Sequence, residues 1–241
     1  RLQQRGHRLT VICRSQQRAE QTLGWLTGKS RVVLADLADL DQVQAIGQAL
    51  RQRADALDGL LLNAGLQYAG HRQVRWSVQG LELTIAVNHL AHQRLVMDLL
   101  PLLLRSATPR LVITASEVHN PASGGGRVGR PAGLGDLSGL KKHSEMVNGE
   151  RPFDADKAYK DSKLCNLLMG RHLAQLHPKL PVICWSPGLV IPRGRDGFFR
   201  NSRQANPLGQ ALFGFVARDL LRLTEHPQRA AELLERLVLD P

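Results

Sequence analysis

The sequence has few of the features that mark membrane-spanning, disulfide-linked or metal-binding proteins. Its longest apolar stretch, MDLLPLLL at 97–104, is far shorter than the roughly 18 residues of a membrane-spanning helix, and no signal-peptide pattern opens the chain. Its three cysteines, Cys13, Cys165 and Cys184, show neither C-x-x-C nor Cys/His metal spacing. We therefore expect free thiols, no structural metal and a cytoplasmic protein.

Aromatic residues are also scarce, at 4% of the chain, although the formal net charge is +11. The basic residues are scattered, with no long basic run and few aromatic side chains on which bases could stack. This pattern argues against a nucleic-acid partner and favours a solvated basic surface. Such a surface attracts an acidic substrate, a phosphate-bearing cofactor or an anionic membrane.

The pattern of apolar residues predicts alternating strands and helices. The predicted strands are the short apolar runs 8–13, 31–37, 58–65, 110–116 and 181–188. The predicted helices, with apolar residues at i, i+3, i+4 and i+7, are 42–57, 81–105 and 157–176. Apolar strands alternating with helices predict an α/β fold, a Rossmann-type doubly wound parallel sheet in three layers. We expect residues 1–241 to form a single domain.

Both ends of the chain suggest that the fold continues beyond them. The opening RLQQRGH is typical of the last turn of a helix that stops at Gly6. The closing LLERLVLDP is followed by no further strand. We therefore expect this sheet to lack an element at each end.

The stretch SGGGRVG at 123–129 fits the spacing G-x-G-x-x-G of a dinucleotide-phosphate loop. That mechanism needs a strand before the glycines and a helix after them. Here HNPA separates the stretch from the preceding strand, and Pro131, Gly133 and Gly135 oppose a following helix. We expect a flexible loop rather than a phosphate site.

The sequence AYKDSK places Tyr159 and Lys163 at i and i+4 on one face of a helix. A phenol with a pKa near 10 is a poor acid–base group at neutral pH, and a neighbouring ammonium lowers that pKa. The pair alone also fits an ordinary aromatic residue beside a solvated lysine. We treat it as a candidate catalytic pair because of what accompanies it.

Three further polar sites accompany this pair. Ser116 lies at the end of a predicted strand, as do Asn63 and Gly65, and doubly wound folds bind ligands at that edge of the sheet. Asn88 lies inside a long apolar helix, where a polar side chain needs a buried partner. In this order the features resemble the short-chain dehydrogenase/reductase family, with its NAG strand end, helical Asn, strand-end Ser and Tyr-x-x-x-Lys.

The resemblance is more specific to the light-dependent protochlorophyllide reductases within that family. Their motifs correspond here to GLELTIAVNHLAH at 80–92, LGDLSGL at 134–140 and FDADKAYKDSKLCN at 153–166. They also carry an insertion between the catalytic Ser and Tyr, which corresponds here to about 117–152. The resemblance implies reduction of a small molecule, in that case a tetrapyrrole pigment, with homo-oligomerisation and peripheral attachment to a photosynthetic membrane as open options.

The resemblance assigns roles residue by residue. Ser116 would orient the substrate, Tyr159 would donate the proton, Lys163 would lower the Tyr159 pKa and hold the nicotinamide ribose, and Asn88 would anchor a proton-relay water. Arg14 and Arg18 would contact a 2′-phosphate, which implies NADPH. Tyr159 would contact the cofactor as well as the substrate. The other cofactor-binding positions would be Asp36, Asn63, Ala64, Gly65, Pro187 and Gly188.

The sequence also departs from the family pattern. The family's first strand with its T-G-x-x-x-G-[IL]-G loop would precede Arg1, and its final strand would follow Pro241. Leu189 replaces a cysteine of the pigment reductases, Pro192 replaces a common Thr, and Gln93 replaces a Phe. Two alternatives therefore stay open: a retinol-dehydrogenase-like carbonyl reductase and a non-catalytic NADP(H)-binding protein.

Overall fold

The computed structural model describes residues 1–141, 143–190, 200–205, 207–215 and 224–240. Its strands are β1 (Thr10–Cys13), β2 (Arg31–Leu34), β3 (Gly59–Leu62), β4 (Arg110–Thr114) and β5 (Val182–Trp185). Its α-helices are α1 (Gln16–Leu23), α2 (Leu40–Arg53), α3 (Leu83–Ile85), α4 (Ala91–Leu103), α5 (Ser138–Lys141), α6 (Ala155–Leu176), α7 (Arg200–Ala205), α8 (Pro207–Gly214) and α9 (Pro227–Leu239).

All strand pairs are parallel, which confirms the predicted fold class. β1 pairs with β2, and β4 lies between β3 and β5 in a second sheet. Within the described residues, β1 and β3 each pair along one edge only, so the sheet is present as two parallel pieces. Both pieces are short, with two and three strands.

Helices cover both faces of the second sheet. On one face, Leu111 and Ile113 of β4 pack into the main apolar core together with residues of α2, α4 and α6. On the other face, the Arg110 guanidinium donates to the carbonyl oxygens of Leu237 and Asp240 at the end of α9. Successive side chains of a strand point to opposite faces, so β4 is covered on both sides. This is the predicted three-layer arrangement.

Side-chain caps set where several helices begin. The Ser15 hydroxyl accepts from the Arg18 amide at the start of α1, and the Asp154 carboxylate accepts from the Lys157 amide at the start of α6. The Glu82 carboxylate accepts from the amides of Thr84 and Ile85. Each cap satisfies amides that have no partner within the helix.

The predicted helix 81–105 is present but interrupted. A π-helical turn at Ala86–Leu90 joins α3 to α4 and carries Asn88. Such turns are rare in proteins, but many of those that occur lie at functional sites. The interruption therefore falls on a residue that the sequence analysis selected.

The first turn of the chain packs against its last helix. Gln3–Arg5 forms a 3-10 turn that ends at Gly6, whose φ of 87° fits the predicted helix stop. The guanidinium of Arg1 pairs with Glu232 and Glu235 of α9, and that of Arg5 pairs with Glu235. Although burial raises the pKa of Glu235, its contacts with both arginines hold it below its ordinary value. None of the described helices is long and apolar enough to cross a membrane.

Candidate active site

Hydrogen bonds tie together the carboxyl ends of the three strands β3, β4 and β5. The Thr114 hydroxyl donates to Asn63 Oδ1 over 2.9 Å and accepts from Trp185 Nε1 over 3.0 Å. These three residues end or follow neighbouring strands. The predicted strand ends 63–65 and 115–116 thus lie beyond the paired strands, at the edge where doubly wound folds bind ligands.

Asn88 is fully buried next to this edge and all its side-chain contacts are internal. Its Oδ1 accepts from the Leu66 amide over 2.8 Å, and its Nδ2 donates to the Leu66 carbonyl over 2.9 Å and to the Ser162 hydroxyl over 3.1 Å. Its main-chain carbonyl accepts from Asn166 Nδ2 over 3.0 Å. The buried partner expected for Asn88 is therefore the segment after β3 together with α6.

Lys163 reaches the same place from α6. Its ammonium donates to the Thr114 carbonyl over 2.9 Å and lies 5.6 Å from the centre of the Tyr159 ring. A Cβ added to Gly65 would lie 3.7 Å from this ammonium, so the backbone after β3 passes close to it. Burial lowers the pKa of Lys163 to about 8.

Tyr159 lies one turn before Lys163 and its side chain is hydrogen-bonded to that of Ser116. Burial raises the pKa of Tyr159 to about 12, and the Ser116 hydrogen bond acts in the opposite direction. The expected lowering by Lys163 does not contribute to this pKa, and the Lys163 ammonium donates to the Thr114 carbonyl. Tyr159 is therefore protonated at neutral pH, as a proton donor must be.

Two histidines, His89 and His92, lie close to Asn88 in the sequence and near the Lys163 side chain. Nδ1 of His89 is 3.0 Å from Asn166 Oδ1, and burial lowers the pKa of His89. His92 is 1% exposed, and its Nδ1 has no hydrogen-bond partner in the described part of the chain. Burial, followed by the charges of Lys163 and His89, lowers the pKa of His92 to about 3. Sequence reasoning did not select these residues.

His92 predicts a loss of stability in acid. Its pKa is about 3 in the folded chain and 6.5 in the reference state, so below pH 6.5 the unfolded state binds the extra proton. By linkage, this proton removes roughly 3 kcal/mol of unfolding free energy between pH 7 and pH 4. Denaturant titrations of wild type and His92→Gln at pH 7 and pH 4 measure this loss of unfolding free energy. Equal pH dependence of stability in the two proteins would contradict the assignment to His92.

The candidate cofactor residues of the first sheet lie at its carboxyl edge. Arg14 directly follows β1 and is exposed, and Arg18 is exposed on the first turn of α1. Asp36 follows β2, and its carboxylate accepts from the Ala38 amide over 2.9 Å. The structure brings two guanidinium groups to the end of β1, at the start of a capped helix.

The segment after β5 contains Pro187, Gly188 and Leu189. Gly188 has a φ of +73°, and an added Cβ would lie 3.0 Å from Cγ of Glu225. The Leu189 carbonyl accepts from the Glu225 amide over 2.9 Å. Pro192 lies outside the described residues, and Gln93 is exposed on α4. Leu189 therefore sits on a segment held by a backbone contact to the residues before α9.

The glycine-rich stretch 123–129 has the opposite polarity to a phosphate loop. The carbonyls of Gly126, Val128 and Arg130 all accept from the buried ammonium of Lys160. A Cβ added to Gly126 would lie 1.8 Å from the Asn120 carbonyl oxygen. The stretch therefore presents carbonyls to a cation rather than amides to a phosphate.

A second pair from α6 holds the next part of the insertion. The Lys157 ammonium donates to Asp161 Oδ2 over 2.6 Å and to the Gly133 carbonyl over 2.8 Å. Asp161 Oδ1 accepts from the Gly133 amide over 2.8 Å. Sequence reasoning missed Lys157, Lys160 and Asp161, although three charged residues among the apolar positions of one helix were a signal for buried partners.

The cysteines and possible metal ligands add no chemistry to this site. Cys13, Cys165 and Cys184 are free thiols. Burial, followed by the charge of Asp161, raises the pKa of Cys165 to about 12, so this thiol is a packing residue. A search of the described residues found no group of three or more His, Cys, Asp or Glu side chains placed to hold a metal ion.

Comparison with known proteins agrees with this geometry. The short chain dehydrogenase family model matches residues 1–126. A short chain dehydrogenase from Escherichia coli, solved in complex with NADPH, superposes with a TM-score of 0.60 at 24% identity, covering 95% of this chain and 79% of that one. The chain belongs to the short-chain dehydrogenase/reductase family of oxidoreductases.

Within this family, the chain is similar to protochlorophyllide reductases. It is 33% identical to that of Avena sativa over 232 residues, which cover 90% of this chain and 72% of the relative. It is 37% identical to the chloroplastic enzyme of Cucumis sativus over 235 residues, which cover 93% of this chain and 57% of the relative. The chain thus spans little more than half the length of some relatives.

Proposed function

We propose that the protein is an NADPH-dependent reductase in which Tyr159 donates the proton, and that residues 1–241 belong to one nucleotide-binding domain with an insertion at about 117–152. The observation that carries the proposal is the convergence of Asn88, Ser116, Tyr159 and Lys163 at the carboxyl edge of the second sheet. These side chains come from three separate segments: the π turn before α4, the end of β4 and α6. A purely structural cluster has no need of a phenol beside an ammonium.

The residues present fit the two ends of NADPH. The exposed guanidinium groups of Arg14 and Arg18 suit a 2′-phosphate, and Asn63 and Ala64 are exposed where a ribose would pass. The family's first strand and glycine loop would precede Arg1, and in the described residues β1 and β3 each pair with one neighbouring strand only. When bound, NADPH supplies the hydride.

The remaining chemistry belongs to the chain's own residues. Tyr159 holds its proton at neutral pH and gives it to the atom that gains negative charge. The Ser116 hydrogen bond favours the resulting phenolate, and the Lys163 ammonium lies 5.6 Å from the centre of the ring. Asn88 fixes the segment after β3 against α6, which keeps Lys163 and Gly65 in place.

The substrate is a conjugated or carbonyl compound, and the relatives' names suggest a protochlorophyllide-like tetrapyrrole. Leu189 favours the second candidate, a carbonyl reductase without photochemistry, because leucine cannot replace a thiol as a donor. Peripheral membrane attachment and homo-oligomerisation stay predictions from the resemblance. The two candidate functions differ in one testable property, conversion under light.

We therefore expect poor light-driven conversion of protochlorophyllide by wild type and better conversion by Leu189→Cys. The restored thiol adds a weak donor on the segment after β5. The measurement is chlorophyllide absorbance after illumination with NADPH and pigment. Robust conversion by wild type would refute the argument from Leu189, and no pigment binding by either protein would favour the carbonyl reductase.

Arg14→Ala is expected to weaken NADPH binding by about 10–100-fold and NADH binding much less. Charge-assisted hydrogen bonds contribute about 1.5–3 kcal/mol, and only NADPH carries the 2′-phosphate. Fluorescence titration with each cofactor measures the two effects. Arg171→Ala, which removes an exposed arginine of α6, is the matched control. Equal weakening of both cofactors by Arg14→Ala would assign Arg14 a structural role.

A further inference from the structure

The insertion between Ser116 and Tyr159 is fastened to the catalytic helix by buried charges. The Lys160 side chain is 4% exposed, and its ammonium has three N–H donors. Three carbonyls accept them, from Gly126 at 3.1 Å, from Arg130 at 3.0 Å and from Val128. The ammonium is therefore fully satisfied by the backbone of the insertion.

The Lys157–Asp161 pair holds a second part of the insertion, at Gly133, against α6. Both side chains are buried, and both contact the backbone of Gly133. Lys157, Lys160 and Asp161 lie within one turn and a half of α6, around Tyr159. The backbone from Gly126 to Gly133 is therefore hydrogen-bonded to α6 at several points.

The insertion begins directly after Ser116 and ends where α6 brings in Tyr159. Ser116 is also held from the insertion side, because the ring of His119 is 2.6 Å from the Ser116 carbonyl through Nδ1. The insertion is therefore joined to Ser116 in its first turn and to the helix of Tyr159 through Lys157 and Lys160. The catalytic rate is sensitive to displacements of about 1 Å between the reacting groups.

We propose that Lys160, assisted by Lys157 and Asp161, is a positioning residue that sets the Ser116–Tyr159 hydrogen bond by holding the insertion on α6. The role in turnover rests on the proposed reductase function, whereas the role in geometry does not. The glycine spacing of 124–129 then has a physical reason: it lets backbone carbonyls converge on one ammonium.

The test compares Lys160→Ala and Lys160→Met with Lys179→Met, which removes an exposed lysine. Amide hydrogen exchange of residues 123–133 should accelerate by about tenfold or more in both Lys160 variants and stay unchanged in Lys179→Met. The chain has only two tyrosines, so ¹³Cζ-labelled tyrosine gives two signals, and Tyr159→Phe assigns them. The Tyr159 signal should shift in the Lys160 variants, and kcat should fall by about tenfold with NADPH affinity within twofold.

Chemical rescue distinguishes the loss of these specific hydrogen bonds from a general loss of structure. We call the carbonyls of Gly126, Val128 and Arg130 the cradle of the ammonium. Propylammonium at millimolar concentration should restore slow exchange, the Tyr159 signal and kcat in Lys160→Ala, because it brings the missing N–H donors to the three carbonyls. Tetramethylammonium has the charge but no donor and should not rescue. Failure of propylammonium to restore slow exchange would count against the cradle.

Two further results would overturn the proposal. The first is unchanged exchange of residues 123–133 in both Lys160 variants. The second is faster exchange with a Tyr159 signal and kcat equal to those of Lys179→Met, which would make Lys160 purely structural. If no variant or wild type reduces any substrate but the Tyr159 signal still follows Lys160, the reductase proposal fails and the positioning role stands.

Discussion

Tyr159→Phe is expected to lower reductase turnover by about 10²–10⁴-fold, the usual contribution of general acid catalysis. The substitution removes the proton and the hydrogen bond to Ser116 but keeps the ring above Lys163. NADPH affinity should change little, because the cofactor's charged groups are contacted by other residues. The measurement is single-turnover oxidation of NADPH at 340 nm together with a binding titration.

Tyr68→Phe is the matched control, since these are the chain's two tyrosines. The Tyr68 hydroxyl donates to the buried Glu82 carboxylate, and its ring stacks on Phe153 at 5.6 Å between ring centroids. Its loss should cost about 1.5–3 kcal/mol of stability, as for other hydrogen bonds to charged groups, with turnover retained in the folded fraction. Turnover above half of wild type in Tyr159→Phe would remove Tyr159 from the mechanism.

Lys157→Met is expected to give the largest loss of stability, about 3–5 kcal/mol. It leaves the Asp161 carboxylate buried without its ammonium, which lies 2.6 Å away in the wild type. Burial raises the pKa of Asp161 even with hydrogen bonds from Lys157 and Gly133, so the carboxylate already carries a desolvation cost. Urea denaturation near neutral pH measures the change.

The double variant Lys157→Met/Asp161→Asn should recover much of that loss. Asparagine has no charge to desolvate, and its side-chain oxygen still accepts from the Gly133 amide. A double-mutant cycle gives the coupling between the two positions. Additive effects of the single changes would show that the Lys157–Asp161 ion pair contributes no coupling energy to stability.

The sequence predicts the sheet and the candidate catalytic residues for the same reason. Apolar strands such as 110–114 are covered on both faces, so their hydrophobicity is continuous and their polar ends stand out. Ser116 and Asn63 are identifiable because they follow such runs. Asn88 is identifiable because an amide inside an apolar helix needs a buried partner, which the structure supplies as Leu66 and Ser162.

The insertion could not be predicted in this way. Its contacts pair Lys160 with Gly126 and Lys157 with Gly133, at separations of 34 and 24 residues, and use backbone carbonyls that leave no trace in side-chain chemistry. The pKa of Tyr159 was expected in the wrong direction for a similar reason. The i, i+4 spacing predicts proximity to Lys163, but the direction of the ammonium depends on Thr114, which is distant in sequence.

The central claim is that Asn88, Ser116, Tyr159 and Lys163 face a bound nicotinamide. The most direct measurement is a crystal structure of the protein with NADP⁺. The account predicts the nicotinamide ribose hydroxyls within hydrogen-bond distance of Lys163 Nζ and the Tyr159 hydroxyl, roughly 2.6–3.2 Å, and the 2′-phosphate against Arg14. NADP⁺ bound with its nicotinamide away from Tyr159, or with its 2′-phosphate away from β1, would contradict the account.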